Sequence, residues 1–431
     1  MKNQLLCLLT LAALLTAFAG LTAAQTMPVD ADAKLWQKAL KIHRRAIIVD
    51  GHNDITSPMY DESFDLASDS RGKFHLDGDP FHTDLQRFKS SGITGEFFSI
   101  YVDGSYAKTG GAARRAMDLI DATWREVERH PNQLTACTTA AEIRLAKRRN
   151  KICALMGIEG GHAIENSLAA LRDFYRLGVR YMTLTHNNTN DWADSNRAAE
   201  KRHNGLTDFG KEVVREMNRL GMLVDVSHVS DKTMADVFDV TNAPIIASHS
   251  SAQFFSNHPR NVSDELLRRF KQNGGVVMIN FYPAFLDQRY LDEDRARDEK
   301  LKPQIDALKE QFKNDSPAYA VALRNLYAAN PIYIPSYTKI VDHIDHVVKI
   351  AGIDSVGIGS DYDGVPMLPV GMNGAEDLAL VTYEMLRRGY SETDIKKVLG
   401  ENFLRAFSKA EQIARINSRK ISGEGSLKKI K

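Results

Sequence analysis

Eight short apolar runs recur along this chain, at residues 46–50, 94–101, 153–158, 180–185, 222–227, 244–248, 275–281 and 355–360. Most are continuous in apolar residues rather than alternating, the pattern of strands buried on both faces. Between them lie stretches with apolar residues at helical spacing. Residues 166–177 stop at Gly178 and residues 208–220 stop at Gly221, as helices commonly do. Residues 231–238 and 264–272 are shorter versions. Strand and helix alternating in this way predict an α/β protein, a (β/α)8 TIM-like barrel with long rim loops. An open doubly wound sheet would carry a glycine-rich phosphate loop after its first strand, and this sequence has none there. The rim insertions are residues 55–93, polar with several Asp and Gly, and 282–341, whose 291–312 part is highly charged and helix-patterned. Such insertions form lids or solvated decorations.

At 431 residues, 43% hydrophobic and 26% charged, the chain has ample core for one such barrel. A formal charge of +1 gives no bulk attraction to nucleic acid. Residues 1–24 read as a secretory signal peptide: Lys2, an apolar stretch from Leu5 to Leu21, then the small residues Ala23 and Ala24 before Gln25. The barrel is expected over 25–415, with a basic, disordered tail at 416–431 and no lipid anchor. A soluble protein, periplasmic or secreted, is the expectation. Cys137 and Cys153 could pair in an oxidising compartment. Cys153 opens a buried strand, however, and the expectation is a free core thiol.

In a barrel, catalytic groups sit where strands end and loops begin. The first run leads into Val49-Asp50-Gly51-His52-Asn53-Asp54, and residues i and i+2 of a strand point the same way, so His52 and Asp54 can grip one cation together. Later runs end in Glu159, His186, His228, His249 and Asp361, all on the same rim. Neutral imidazoles and carboxylates suit Zn²⁺ and related ions. Glu159 can bridge two of them, sharing the first with His52 and Asp54 and the second with His228 and His249. Such a centre generates a nucleophile near neutral pH and polarises a carbonyl. A single ion with Glu159 as general base is the alternative. Asp361 is placed to carry a proton or to pair with a substrate ammonium. His186 reads as a donor to a developing oxyanion or as a structural histidine, and Arg260 as a clamp for a carboxylate or as a surface arginine. Asp363 reads as a turn residue before Gly364.

These motifs resemble the membrane (renal-type) dipeptidases, peptidase family M19, among the amidohydrolase-like metal barrels. The likeness runs from Asp50 to Phe407. It rests on Asp50-Gly51-His52-Asn53-Asp54, Gly157-Ile158-Glu159-Gly160-Gly161-His162, Thr183-Leu184-Thr185-His186-Asn187, Asp225-Val226-Ser227-His228, Ala247-Ser248-His249-Ser250, His258-Pro259-Arg260-Asn261 and Gly359-Ser360-Asp361-Tyr362-Asp363-Gly364. The resemblance implies two zinc ions on His52, Asp54, bridging Glu159, His228 and His249. It implies substrate contacts at His186, Arg260, Asp361 and Tyr282, and hydrolysis of small peptides, L-L and L-D dipeptides. The cysteines that pair in the mammalian enzymes are absent. A homodimer stays open. Two alternatives stand beside this one: a related amidohydrolase acting on N-acyl amino acids or lactams, and a non-catalytic ligand-binding barrel.

Overall fold

The computed structural model describes residues 27–28, 30–199 and 201–427; the expected signal peptide lies outside them. Among the described residues nine strands, all parallel, run β1 (Val49–Asn53), β2 (Gly95–Tyr101), β3 (Leu134–Ala136), β4 (Ile152–Glu159), β5 (Val179–Thr183), β6 (Leu223–Asp225), β7 (Ile246–Ala247), β8 (Val276–Ile279) and β9 (Val356–Ile358). Their order is β2-β1-β9-β8-β7-β6-β5-β4-β3, and β2 also pairs with β4, which closes the ring. The result is the (β/α)8 barrel expected from the apolar runs, each of which overlaps a ring strand. The strand that the pattern missed is β3. It pairs with the first half of β4 (Leu134↔Ile152, Ala136↔Ala154), while β5 pairs with the second half.

β3 explains a correction. Cys153 is not a free thiol: it forms a disulfide with Cys137, with Cα atoms 5.4 Å apart, a normal bridging span. Cys137 follows directly on β3, whose register sets Thr135 opposite Cys153 and brings the second sulfur alongside.

Barrel strands are buried on both sides because they face two apolar layers. Inside the ring, Val49, Phe97, Leu155, Tyr181, Leu223, Ile246, Val276 and Met278 pack with Phe403 and Phe407. The last two belong to the closing helix Asn402–Leu427, so this helix seals one end of the ring, with the Phe403 ring 5.4 Å from that of Phe97. This helix also extends through most of the segment set apart in sequence as a tail. Outside the ring, the helices form the second layer. Helix Asp208–Leu220 starts where Thr207 caps Gly210 N and ends at Gly221 in the left-handed region, at φ 83°.

Both rim insertions are structured. The first holds helices Thr56–Asp61 and Leu85–Ser91, and the second holds Pro283–Leu286, Gln288–Gln311 and Ser316–Ala328. They meet where the Arg324 guanidinium covers the Phe74 ring at 3.8 Å and donates to Gly78 O at 3.4 Å. Together they wall the end of the barrel where the catalytic side chains gather.

Candidate active site

Glu159 ends β4, wholly buried, and divides its two oxygens between opposite sides of the site. Oε1 lies 3.0 Å from His228 Nε2 and 3.4 Å from His249 Nε2. Oε2 lies 3.5 Å from His52 Nε2, which is itself 3.2 Å from Asp54 Oδ2. The five residues singled out as metal ligands therefore converge, two on each side of one carboxylate. Two more stand within reach. Ligand atoms of Glu159, His186 and His228 fall within 4.8 Å of one another, as do those of His52, His249 and Asp361. His186 stacks obliquely on His228 with centroids 4.5 Å apart, and Asp361 Oδ1 is 4.0 Å from His52 Nε2.

The donor set fits a cation. Each of the three histidines has its Nδ1 occupied. His52 Nδ1 is 2.8 Å from the Tyr181 hydroxyl, which gives its own proton to Gly51 O at 3.1 Å. His249 Nδ1 is 2.8 Å from Ser248 Oγ, whose proton goes to Asp225 Oδ2 at 2.6 Å. His228 Nδ1 faces Asn187 Oδ1 at 3.1 Å. In every case Nδ1 is the donor, so Nε2 carries the lone pair and turns inward. The Nε2 atoms of His228 and His249 face each other at 3.0 Å, and that of His52 is buried without a hydrogen-bond partner. Inward lone pairs on adjacent buried nitrogens call for a positive ion between them.

Electrostatics agree. Burial, then the nearby His52 and Arg260 (for His249) and Arg260 and His186 (for His228), holds these two imidazoles well below their ordinary range, in the neutral ligating form. Burial would lower His52 as well, but Tyr181, Asp54 and Glu159 outweigh it and hold it well above its ordinary range, so a cation bound there displaces a proton. Burial alone would raise Glu159, but the four histidines around it, His52, His186, His228 and His249, outweigh it and keep the carboxylate well below its usual range. Backbone strain gathers here too: His228 and Asp361 hold φ of 66° and 64°, left-handed values uncommon outside glycine.

The site opens into a cavity of about 620 Å³, lined among others by Asp54, Tyr101, His186, Arg260, Tyr282 and Asp361. Arg260 is buried, and its contacts are long: His249 O at 3.3 and 3.4 Å and Ser250 Oγ at 3.5 Å. Among the described residues no carboxylate pairs with it. Asp361 Oδ2 accepts from Asn280 Nδ2 at 2.7 Å, and burial lifts this carboxyl to about 7. Asp363 is a buried anchor rather than a simple turn residue. It accepts from His82 N at 2.8 Å, from His75 Nε2 at 3.3 Å and from the Thr83 hydroxyl, tying the first insertion to the end of β9.

The family model of the membrane dipeptidases, peptidase family M19, matches residues 36–420. The chain belongs to this family. It is a metallo-dipeptidase, a hydrolase of peptide bonds. Among solved structures it is similar to the probable dipeptidase PvdM from Pseudomonas aeruginosa (26% identity, TM-score 0.73, covering 89% of this chain and all of that one). It shares its fold with a metallo peptidase from Rhodobacter sphaeroides liganded with a phosphinate mimic of L-Ala-D-Ala (24% identity, TM-score 0.66, 85% and 99% covered).

Sequence reasoning about this dipeptidase missed the residues that orient its histidines. Tyr181 reads in the sequence as one more apolar residue of a strand. Its ring needs the space beside Gly157, where a Cβ would stand 2.0 Å from Tyr181 Cζ. Asp225 carried a signal: an acid inside a fully buried strand must have partners. It has them in Thr183 Oγ1, Ser248 Oγ, Ser248 N and Ser227 N. Asn187 follows His186 directly in the motif, yet nothing in the spacing ties it to His228.

Proposed function

We propose that this dipeptidase hydrolyses L-L and L-D dipeptides at a centre of two zinc ions shared by Glu159. His52 and Asp54 would hold one ion with Glu159, and His228 and His249 the other. When bound, the ions supply Lewis acidity that polarises a carbonyl and acidifies water. The chain's own groups do the rest. Arg260, buried and without an acid partner, takes the C-terminal carboxylate of the substrate through paired charge-assisted bonds. His186, facing the cavity beside His228, donates to the carbonyl oxygen as negative charge develops there. Asp361 faces the ammonium end, accepts the proton of the attacking water and returns it to the leaving amine. Asn280 holds its other oxygen and so aims the carboxyl. Tyr282 packs against Phe285 with ring centroids 5.3 Å apart and gives the cavity an apolar wall.

The observation that carries this reading is the division of Glu159 between His228 and His249 on one side and His52 and Asp54 on the other. The L-Ala-D-Ala mimic bound by the Rhodobacter sphaeroides relative supports the inclusion of L-D substrates. The disulfide Cys137–Cys153 and the apolar segment in residues 1–24 support export to a periplasmic or secreted location.

Metal-loaded protein assayed on L-L, L-D and D-D dipeptides, with N-acetylated versions alongside, is the test. Cleavage of the free dipeptides and poor cleavage of the acetylated ones is expected. Equal or better cleavage of the acetylated compounds would favour an amidohydrolase of N-acyl amino acids instead.

A further inference from the structure

The cavity is electrically divided. Its acids beyond the ligand cluster are Asp61, Glu62 and Asp77 of the first insertion and Asp363, which is tied to that insertion, while its arginines, Arg197 and Arg260, come from the loops that follow β5 and β7. All of these acids have partners within the chain: Asp77 Oδ1 accepts from Asp79 N at 3.1 Å, and Asp363 accepts from His82 N at 2.8 Å. Arg115 holds both Asp61 oxygens at 2.7 and 2.6 Å, and Glu62 accepts from Leu76 N at 3.1 Å with His75 Nδ1 at 3.8 Å. Neither arginine has a carboxylate partner among the described residues.

Arg197 is exposed at the lip of the cavity, but its backbone is fixed. The preceding residue, Asn196, donates its N–H to the carbonyl of His228 at 2.8 Å. Arg197 N donates to Ser195 Oγ at 3.3 Å, and this hydroxyl in turn donates to the His186 and His228 carbonyls at 2.6 and 3.2 Å. Lys201 Nζ donates to the carbonyls on either side of Arg197, those of Asn196 and Ala198, each at 3.1 Å. The guanidinium thus starts from a braced loop beside two histidines of the site. Its charge is felt at His258, after burial and Arg260, and more weakly at Arg260, where burial comes first and Asp361, Glu159 and Asp225 act the other way. Two guanidinium groups that repel each other and open on the same cavity are complementary to two negative charges on one ligand. The α-carboxylate of a dipeptide supplies only one.

We propose that Arg197 recognises a second carboxylate, the acidic side chain of a C-terminal aspartate or glutamate. The inference rests on the dipeptidase reading and on Arg260 as the holder of the α-carboxylate. Arg197 is a specificity residue: it touches the side chain of the leaving amino acid and takes no part in bond cleavage.

The test is a ratio measured within each protein. kcat/KM is determined for alanyl dipeptides ending in Asp, Asn, Glu, Gln or Ala, in whichever C-terminal configuration is accepted. Wild type should favour Asp over Asn and Glu over Gln by roughly five- to tenfold, chiefly through KM, as expected for a charge contact at an exposed lip. The preference should shrink at high salt. It should fall to about one in Arg197→Gln, survive in part in Arg197→Lys, and invert in Arg197→Glu. Because each ratio is internal to one protein, a partly folded variant still reports it. Cleavage of the neutral dipeptides with no acidic preference in wild type, or a preference unchanged in Arg197→Gln, would overturn the role of Arg197 and leave the dipeptidase reading standing. Cleavage of no dipeptide at all would overturn both.

Discussion

The Tyr181 hydroxyl stands 2.8 Å from His52 Nδ1 and passes its own proton to Gly51 O, which leaves His52 Nε2 as the lone-pair nitrogen that faces Asp54 and Glu159. A residue of β5 thereby fixes the tautomer of a residue at the end of β1, across the barrel interior. Tyr181→Phe keeps the ring and its packing against Phe97 while removing this hydroxyl. Metal affinity should fall by about 10–100-fold, the usual cost of losing an orienting partner. Competition with a chromophoric chelator measures it; an unchanged affinity would mean that the tautomer is set without Tyr181.

Arg260→Ala should lower kcat/KM on free dipeptides by about tenfold or more, since a charged hydrogen-bonding contact is worth roughly 1.5–3 kcal/mol. Dipeptide amides should be poor substrates of the wild type and should lose little further in the variant. Amides cleaved as well as acids would give Arg260 another task.

Asp361→Asn retains shape and the contact with Asn280 but cannot accept a proton. Its kcat should drop by about 10²–10⁴-fold, the range for a lost general acid–base group, with bound metal unchanged. Asp361 lies within ligand distance of His52 and His249, so metal analysis is the informative half of the experiment. Loss of an ion would make Asp361 a ligand.

Acid should weaken the fold through His43. Its Nδ1 lies 2.7 Å from Thr382 Oγ1 and its Nε2 2.7 Å from Ser91 O. Burial, opposed by the Ser91 bond and assisted by Lys147 and Arg44, lowers it from 6.5 to about 4. A histidine whose folded pKa is depressed stabilises fully above its unfolded value and loses that contribution as pH falls toward the folded one. The window is therefore pH 6.5 down to 4, and the contribution is on the order of 3 kcal/mol. The gap in Tm between wild type and His43→Gln should shrink between pH 7 and pH 4.5. A gap that stays constant would show that His43 does not titrate in this window.

Continuous apolar runs made the ring strands legible, because a strand buried on both faces has no other composition open to it. The ends of those runs made the ligand candidates legible, because a barrel collects them on one rim. What stayed hidden depends on closure in three dimensions. β3 has three residues and no period, so Cys137 had no place in the sheet and nothing favoured its bond to Cys153 over a free thiol. Tyr181, Asn187 and Ser248 act through single atoms on partners in other strands, and nothing in their local sequence points across the barrel. Asp363 looked like a turn residue because its partners, His75, His82 and Thr83, lie on a distant insertion.

The central claim is that dipeptide hydrolysis needs two metal ions shared through Glu159. The most direct measurement strips the purified protein with a chelator and titrates zinc back while following hydrolysis of L-Ala-L-Ala and L-Ala-D-Ala. The stripped protein should be inactive, and activity should rise to a break at two equivalents of zinc per chain. Full activity after stripping, or a break at one equivalent, would contradict it.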